Sequence, residues 1–152
     1  EEVGADRIVS ALAASHYYGG PCLIVDSGTA ITFCLVDGQG CYQGGLIFPG
    51  MNIASKALNE NTAKIPHILV APHEFTVGKS TQEAVEIGLY QGYINLINGM
   101  ILKFKKEFSS IKVIGTGQGL EVLKDKLYLD HFDSFLIFKG LKICDDFFNK
   151  DS

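Results

Sequence analysis

Residues 23–30 read Leu-Ile-Val-Asp-Ser-Gly-Thr-Ala, and this stretch decides the fold that the sequence predicts. The apolar residues 22–25 predict a buried strand that carries Asp26 to its end, and residues 31–36 predict a second strand. Residues 27–29 lie between the two strands and favour a tight turn. The stretch therefore predicts a β-hairpin with a carboxylate at its tip.

Two interpretations of this hairpin tip are open. A glycine lets backbone approach a ligand closely, consecutive N–H groups bind an anion, and a carboxylate beside them holds a metal ion or a metal-bound water. In that interpretation Asp26 and Gly28 form a site for a nucleotide phosphate with Mg2+. In the other, the turn only reverses the chain, and the turn by itself favours this plainer interpretation.

The composition excludes several classes of protein. With 152 residues, of which 47% are hydrophobic, the chain is long enough for one compact domain that buries about 68–70% of its unfolded surface. The net charge of -4 offers no basic surface for nucleic acid or for an anionic membrane. An acidic protein that binds phosphate needs a cation, and a carboxylate at the hairpin tip suits one.

The cysteines and the N-terminus indicate where the protein functions. The cysteines lie in or beside predicted strands and a helix, without CxxC pairing or a histidine at zinc spacing. We expect all of them to be buried free thiols of a reducing compartment, and the start of the sequence, which has no signal peptide, favours the cytoplasm. Because the first residue is Glu1 and not methionine, we expect one domain excised from a longer protein. The cysteines are Cys22, Cys34, Cys41 and Cys144.

Asp6 stands at the start of a predicted helix whose apolar residues recur at helical spacing until the Gly-Gly-Pro stop at residues 19–21. An isolated aspartate there is typical of an N-cap, where a carboxylate satisfies free N–H groups and complements the helix dipole. The alternative is a general base, with Arg7 beside it for an anionic substrate. The position by itself favours the cap.

A third strand from Cys41 ends in the glycine-rich residues 44–50, before a helix predicted over residues 51–59. The glycines that open this segment indicate either a bulge followed by a turn, or a wall against which a small ligand lies. Thr62 follows the helix, and it either donates a hydroxyl hydrogen bond to a ligand or caps a turn.

A long helix is predicted over residues 82–108, with Ser80 or Thr81 as its N-cap. Residues 87–102 are its most apolar part, but polar residues interrupt them, and they fall short of the roughly 20 apolar residues that a membrane span needs. We therefore expect a buried helix that is covered on several sides.

Two glycines of the long helix, Gly88 and Gly92, share one face. Such a face allows close approach of another helix. That helix comes either from this chain or from a second subunit, and the sequence favours neither.

After the long helix, residues 111–114 predict a strand, residues 115–119 a glycine loop and Leu120 the start of a helix. This order is typical of a nucleotide site, where glycines admit a phosphate or an adenine edge and the helix N-terminus favours negative charge. The glycine spacing does not fit the dinucleotide fingerprint. Residues 135–138 predict a last strand, and Gly140 the start of a final helix.

The order of elements predicts an α/β domain. Two glycine-rich turns at strand ends, one of which carries Asp26, match the nucleotide-clamping half of the actin-like ATPase and sugar kinase superfamily. This likeness implies a ribonuclease H-like, actin-like ATPase domain: a mixed sheet with a three-stranded antiparallel meander and helices on both faces. That superfamily uses no Walker P-loop.

Five ordered motifs carry a closer resemblance, which covers essentially the whole chain. They are Gly4-x-Asp6-Arg7, Asp26-x-Gly28-Thr29-Ala30, Gly44-Gly45-x-Ile47-x-Pro49-Gly50, Thr62-Ala63 with Thr81 ahead of the long helix, and Thr116-Gly117. In this order and spacing they resemble the type III pantothenate kinases, a family that includes proteins once described as Bvg accessory factors. The resemblance favours the functional interpretations of the aspartates at positions 6 and 26.

The resemblance implies that ATP phosphorylates pantothenate to 4'-phosphopantothenate, the first step of coenzyme A biosynthesis. Asp6 would be the general base for the pantothenate hydroxyl, and Gly4 and Arg7 would help to hold pantothenate. Thr62 and Thr81 would contact pantothenate from the partner subunit of a homodimer.

The same resemblance implies the nucleotide site and its cations. Asp26 would lie near Mg2+ in the second phosphate motif, and the family also needs a monovalent cation, K+ or NH4+. The phosphate and nucleotide contacts would come from Ser27, Gly28, Thr29, Thr116 and Gly117.

Two departures from the family pattern affect the expected activity. The family's first phosphate motif, an Asp-x-Gly-Asn-Thr turn in its N-terminal domain, does not occur in this sequence. We therefore expect residues 1–152 to be one domain, the C-terminal half of a two-domain kinase, and to show little activity alone. Gln118 stands where the family usually has the second of two glycines, which puts the fit of the adenosine in question.

Other functions stay open. A sugar kinase or exopolyphosphatase of the same superfamily would also use the Asp26 turn, but it does not require the motif around Asp6. A non-catalytic accessory protein of the same fold would not need both aspartates. A nicotinamide oxidoreductase would explain residues 115–119 and leave the hairpin tip without a role.

Overall fold

A computed structural model describes residues 3–149, and its centre is a five-stranded sheet in the order β3-β2-β1-β4-β5. The strands are β1 (Cys22–Ser27), β2 (Ala30–Val36), β3 (Tyr42–Pro49), β4 (Lys112–Thr116) and β5 (His131–Phe132). The helices are α1 (Ala5–Tyr18), α2 (Met51–Asn61), α3 (Thr81–Glu107), α4 (Gln118–Glu121) and α5 (Leu136–Asn149), and a 3-10 turn spans Lys124–Lys126.

Strands β1 to β3 form the predicted antiparallel meander, and β4 and β5 extend the sheet in parallel. Asp26 pairs with Thr32 on one side and with Thr116 on the other. The β1–β2 hairpin tip and the glycine loop after β4 therefore lie at the same end of the sheet.

Side chains alternate along the strands and build a hydrophobic core on each face of the sheet. The mixed sheet with helices on both faces agrees with the predicted fold class. The core beneath α2 and α3 includes Leu23, Val25, Ile31, Phe33, Met51, Tyr93, Ile97, Val113 and Leu120. The core beneath α1 and α5 includes Ala11, Ala14, Cys22, Ile24, Cys34, Val36, Ile114 and Leu136.

Helix α1 lies antiparallel to β1, because residues 19–21 reverse the chain between them. The N-terminus of α1 therefore lies at the end of the sheet that holds the hairpin tip. At its other end, the Tyr18 hydroxyl donates to Asp133 (2.7 Å), which also pairs with Lys139 (2.6 Å). Burial and the bond to Asp133 raise the pKa of Tyr18 to about 12. This cluster fixes α1 to β5 and α5.

The predicted strand over residues 135–138 is wrong, because Leu136 begins α5. Leu136 and Gly140 are buried four residues apart, which places them on one face of a helix that packs against α1. Gly140 lies inside this helix rather than at its start, and a Cβ there would meet the carbonyl of Val9. The periodicity of a short apolar run does not distinguish a strand from a buried helix.

Helix α3 begins as predicted, since Ser80 Oγ accepts a hydrogen bond from the N–H of Glu83 (3.2 Å). Residues 3–149 cover this helix mainly on one face, so coverage of its other sides stays a prediction. Gly88 and Gly92 are exposed, and a Cβ on either would meet no atom within 4 Å. Within residues 3–149, no helix combines the length and apolar character needed to cross a membrane.

The prediction for the cysteines is confirmed only in part. Cys22 and Cys34 are buried free thiols in the core beneath α1. Cys41 is a free thiol too, but it is exposed because it lies in the turn before β3, and Cys144 is half-buried on α5. The prediction of burial is therefore wrong for these two.

Candidate functional site

The tip of the β1–β2 hairpin carries Asp26 in a half-buried position at the end of the sheet. The turn closes through a hydrogen bond from the N–H of Gly28 to the carbonyl of Ala30 (2.9 Å). Ser27 is buried, whereas Gly28 and Thr29 are exposed, and a Cβ on Gly28 would meet no atom within 4 Å. The turn therefore has open space beside a carboxylate, as the ligand-binding interpretation requires.

The glycine loop after β4 packs directly against this tip. Thr116 is buried next to Asp26, and Gly117 follows with a φ of 89°, which favours glycine. A Cβ on Gly117 would meet Asp26 Oδ1, and a Cβ on Gly119 would meet Ser27 Oγ. Only residues without a side chain let the loop approach this closely. The structure thus brings the predicted nucleotide residues to the hairpin tip.

Helix α2 also begins at the hairpin tip. Its N-cap, Gly50, donates its N–H to the carbonyl of Thr29 (3.0 Å). In the part of the chain that the structure describes, no side-chain hydrogen bond caps the N-terminus of α2 or that of α1, whose N-cap is Gly4. Free N–H groups at a helix N-terminus attract anions. This end of the sheet therefore has the backbone donors that a phosphate group needs.

The predicted glycine wall over residues 44–50 is wrong as one continuous surface. Gly50 lies at the hairpin tip, whereas Gly44 and Gly45 lie toward the opposite end of β3. Gly44 has a φ of 120° at a break in the β2–β3 register, and Gly45 packs against the backbone of Phe33. The bulge interpretation is therefore confirmed at Gly44, whereas Gly45 pairs regularly with Cys34.

The N-terminus of α1 brings a second carboxylate toward Asp26. Asp6 lies in the first turn of α1 and is exposed, so the N-cap interpretation is wrong: the N-cap is Gly4. A Cβ on Gly4 would lie 2.5 Å from Asp6 Oδ1, so glycine leaves room for the carboxylate. Burial raises the pKa of Asp26, and the negative charge of Asp6 raises it further. The two predicted reactive carboxylates thus interact electrostatically.

Arg7 contacts a residue that the sequence did not suggest. Its Nη1 donates to the hydroxyl of Tyr42 (3.4 Å), which packs on the core beneath α1. Cys34 lies nearby, with Sγ 4.0 Å from Thr32 Oγ1, and burial raises the pKa of its thiol. Strand alternation places Thr32 and Cys34 on the face of Asp26. Tyr42 could not be found in this way, because the bulge shifts its register.

Thr62 and Thr81 stand apart from the hairpin tip. The Thr62 hydroxyl donates to the carbonyl of Leu58 (2.7 Å) at the C-cap of α2. The length of α2 separates it from Gly50 by about 16 Å. Thr81 is exposed at the start of α3. Among residues 3–149, no hydrogen bond joins either threonine to the Asp26 turn.

Asp26 fits a divalent cation that is shared with a phosphate group. Its carboxylate offers hard oxygen ligands at the hairpin tip, and neither Asp26 nor Asp6 forms an ion pair in the part of the chain that the structure describes. Over the same residues, no three His, Cys, Asp or Glu side chains form a complete metal site. Mg2+ needs no such cage, because one or two carboxylates and substrate phosphates usually bind it.

Comparison with known proteins decides the family. The sequence model of the type III pantothenate kinases matches residues 1–103. The chain belongs to the type III pantothenate kinase family. The family member of Persephonella marina is 45% identical over 143 residues, which cover 93% of this chain and 56% of that protein. The member of Acidiphilium cryptum is 41% identical over 145 residues, which cover 93% of this chain and 54% of that protein. The chain thus spans about half the length of the curated relatives it matches.

Solved structures confirm the fold. A Campylobacter jejuni protein described as a Baf family transcriptional activator aligns with a TM-score of 0.58 and 24% identity, over 88% of this chain and 61% of that one. The activator of 2-hydroxyisocaproyl-CoA dehydratase from Clostridium difficile, solved with bound ADPNP, aligns with a TM-score of 0.50 and 10% identity. The alignment covers 89% of this chain and 62% of that one. The family and these folds confirm the predicted actin-like ATPase domain.

Proposed function

We propose that this chain forms part of an ATP-dependent pantothenate kinase, which converts ATP and pantothenate to ADP and 4'-phosphopantothenate in the first step of coenzyme A biosynthesis. One observation supports this proposal most. In a chain of the type III pantothenate kinase family, Asp6 and Asp26 interact where glycine turns from three parts of the chain converge. Curated relatives, about half of whose length this chain covers, bear the name of this activity.

Asp6 is the proposed general base. Its exposed carboxylate accepts the proton of the pantothenate hydroxyl as the oxygen attacks the γ-phosphorus of ATP, and the bond from that phosphorus to the bridging oxygen of ADP breaks. A base of this kind typically contributes about 10²–10⁴-fold to the rate. Gly4 supports this role, because a side chain there would displace the carboxylate.

The hairpin tip is the proposed second phosphate motif. Mg2+ bound there supplies positive charge that offsets the charge on the transferred phosphoryl group. Asp26 would hold that cation, and its raised pKa supports the assignment, because a cation relieves the repulsion from Asp6. The backbone and hydroxyl contacts to the phosphates and adenosine would come from Ser27, Gly28, Thr29, Thr116 and Gly117.

Two subunits would complete the pantothenate site. We assign Arg7 to the pantothenate carboxylate, which suits a guanidinium group. Thr62 and Thr81 would reach pantothenate from the partner of a homodimer, and the distance of Thr62 along α2 supports a contribution from another chain rather than its own. The exposed glycine face of α3 leaves a surface for that partner.

The remaining parts of the proposal concern the protein around this chain. Residues 1–152 would be the C-terminal half of a two-domain kinase, and a preceding domain would supply the first phosphate motif. A monovalent cation, K+ or NH4+, would join Mg2+ near the hairpin tip. The parent enzyme would be cytoplasmic and would bind neither nucleic acid nor a membrane.

An assay of the full-length parent tests this proposal. ADP release is measured with pantothenate and with a panel of sugars, with and without K+. We expect the parent to phosphorylate pantothenate but none of the sugars, and to need K+ for this turnover. Residues 1–152 by themselves should show little activity. Phosphorylation of a sugar but not of pantothenate would contradict the substrate, and robust turnover by residues 1–152 would contradict the need for a second domain.

Two variants separate base catalysis from folding. Asp6→Asn removes the proposed base, so kcat should fall by about 10²–10⁴-fold while pantothenate still binds. Asp146→Asn removes an exposed carboxylate near His16 and Tyr17, at the opposite end of α1, and should leave kcat unchanged. Equal losses in both variants would count against Asp6 as the base.

A further inference from the structure

Arg7 lies beside carboxylates without pairing to either. It follows Asp6 directly, and both Arg7 and Asp26 act electrostatically on the thiol of Cys34. Within residues 3–149, Arg7 nevertheless forms no ion pair, and the hydroxyl of Tyr42 is its hydrogen-bond partner (3.4 Å). Guanidinium groups bind carboxylates strongly, so the partner that holds this one decides whether it is free for an anion. That partner is the hydroxyl of Tyr42.

Tyr42 is held where it can do this. Its ring packs on the core beneath α1, and it is the first residue of β3, just before the β2–β3 bulge. The bulge changes the register so that Tyr42 pairs with Val36. One hydrogen bond to Tyr42 leaves most of the donors of the Arg7 guanidinium available for an anion.

We infer that Tyr42 is a positioning residue: it holds the Arg7 guanidinium away from Asp6 and Asp26, and thereby makes the site select an acid over its neutral analogue. The inference rests on the proposed function only for the identity of the acid. It has two consequences. Arg7 stays available to a substrate carboxylate, and Asp26 stays free to hold a cation.

The first consequence is tested with two substrates of the full-length kinase, pantothenate and panthenol, in which a neutral alcohol replaces the carboxylate. Tyr42→Phe removes only the hydroxyl. We expect KM for pantothenate to rise about 3–10-fold, the range for the loss of one ordinary hydrogen bond, with kcat nearly unchanged. The KM for panthenol should stay within about 2-fold, because a neutral substrate makes no ion pair with Arg7.

Two further variants control this measurement. Tyr18→Phe removes another bonded tyrosine hydroxyl, that of the last residue of α1, at the opposite end of the helix, and should leave both KM values unchanged. Adding Tyr42→Phe to Arg7→Gln should cause no further rise in KM, because Tyr42 acts through Arg7. An equal rise for pantothenate and panthenol, or an additive double variant, would overturn the inference.

The second consequence is tested without any substrate. In Tyr42→Phe, the freed Arg7 should pair with a carboxylate, so the rise in Tm on adding Mg2+ should shrink, and Arg7→Gln in the same protein should restore it. An unchanged Mg2+ effect in Tyr42→Phe would overturn the positioning role. If the wild-type kinase fails to phosphorylate pantothenate, the proposed function fails, and this Tm series still decides the role of Tyr42.

Discussion

Asp26 is ionised at a cost in stability. Burial and the negative charge of Asp6 raise the pKa of Asp26, so its charged form is disfavoured in the folded chain. For a carboxyl whose folded-state pKa is raised, stability is highest below its unfolded pKa of about 3.9 and falls as the pH rises through the folded value. At neutral pH, ionised Asp26 therefore destabilises the fold.

Asp26→Asn should consequently stabilise the protein at pH 7 while it impairs turnover. We expect a higher Tm, by about 2–4 °C for each kcal/mol relieved, and the difference should close as the pH falls below about 4. Mg2+ should raise the Tm of the wild type more than that of the variant. The Tm measured against pH, with Asp146→Asn as the control, checks this, and a lower Tm for Asp26→Asn at pH 7 would contradict the sign.

Gly117 and Gly28 should respond differently to the same substitution. Gly117→Ala places a Cβ against Asp26 Oδ1 at a φ of 89°, so we expect a loss of about 1–3 kcal/mol in the free energy of unfolding. Gly28→Ala meets no atom within 4 Å and should unfold like the wild type. Its methyl group would occupy the space proposed for phosphate, so nucleotide affinity should fall. Urea unfolding and ATP titration measure the two effects, and equal stability losses would contradict the difference.

Residues at the site differed in how far the sequence could predict them. Asp26 was found because strand, carboxylate and turn are consecutive in sequence, which local chemistry makes readable. The repulsion between Asp6 and Asp26 could not be predicted from the sequence, because it depends on α1 folding back along β1. The position of Tyr42 cannot be predicted from the sequence, because its register depends on a bulge that only the folded sheet defines.

At the level of elements, the meander and the N-cap of α3 were predicted from periodicity and capping residues. The start of α5 could not be predicted, because an apolar run of four residues fits either a strand or a buried helix turn. Tertiary contacts decide between the strand and the helix. Gly140 lets α5 approach the backbone of Val9, and Asp133 anchors the segment just before the helix.

Asp133 should make the contact between α1 and α5 sensitive to acid. Burial alone would raise its pKa, but hydrogen bonds from Lys139, Tyr18 and the N–H of Phe135 outweigh burial and lower it. For a lowered carboxyl pKa, the stability contribution is present above the unfolded pKa of about 3.9 and is lost as the pH falls through the folded value.

Asp133→Asn should therefore lower the free energy of unfolding by about 1–3 kcal/mol at pH 7, because a buried charged acceptor is lost. The deficit should shrink below about pH 4, where the wild type loses the same contribution. Urea unfolding at several pH values measures this. Glu60→Gln is a suitable control, because its pair with Lys56 (3.6 Å) is exposed and such pairs contribute little. A deficit that is independent of pH would contradict the role of the Asp133 charge.

For the whole molecule, the unpartnered face of α3 separates a folded chain from a complete enzyme. Among residues 3–149, a Cβ on Gly88 or Gly92 would meet no atom within 4 Å, so a larger side chain there should not disturb the fold, and it should improve the intrinsic helix propensity by up to about 1 kcal/mol. In the proposed homodimer, the same side chain would prevent close approach of the second subunit.

Gly92→Leu in the full-length kinase should thus be at least as stable within the subunit but monomeric by light scattering. Its KM for pantothenate should rise, because the proposed contacts from Thr62 and Thr81 come from the partner. Ala57→Leu, on the exposed face of α2, changes an exposed helix position by a similar volume and should leave the dimer intact. A Gly92→Leu protein that stays dimeric with unchanged KM would remove α3 from the interface, and the two threonines would then need a route to pantothenate within their own chain.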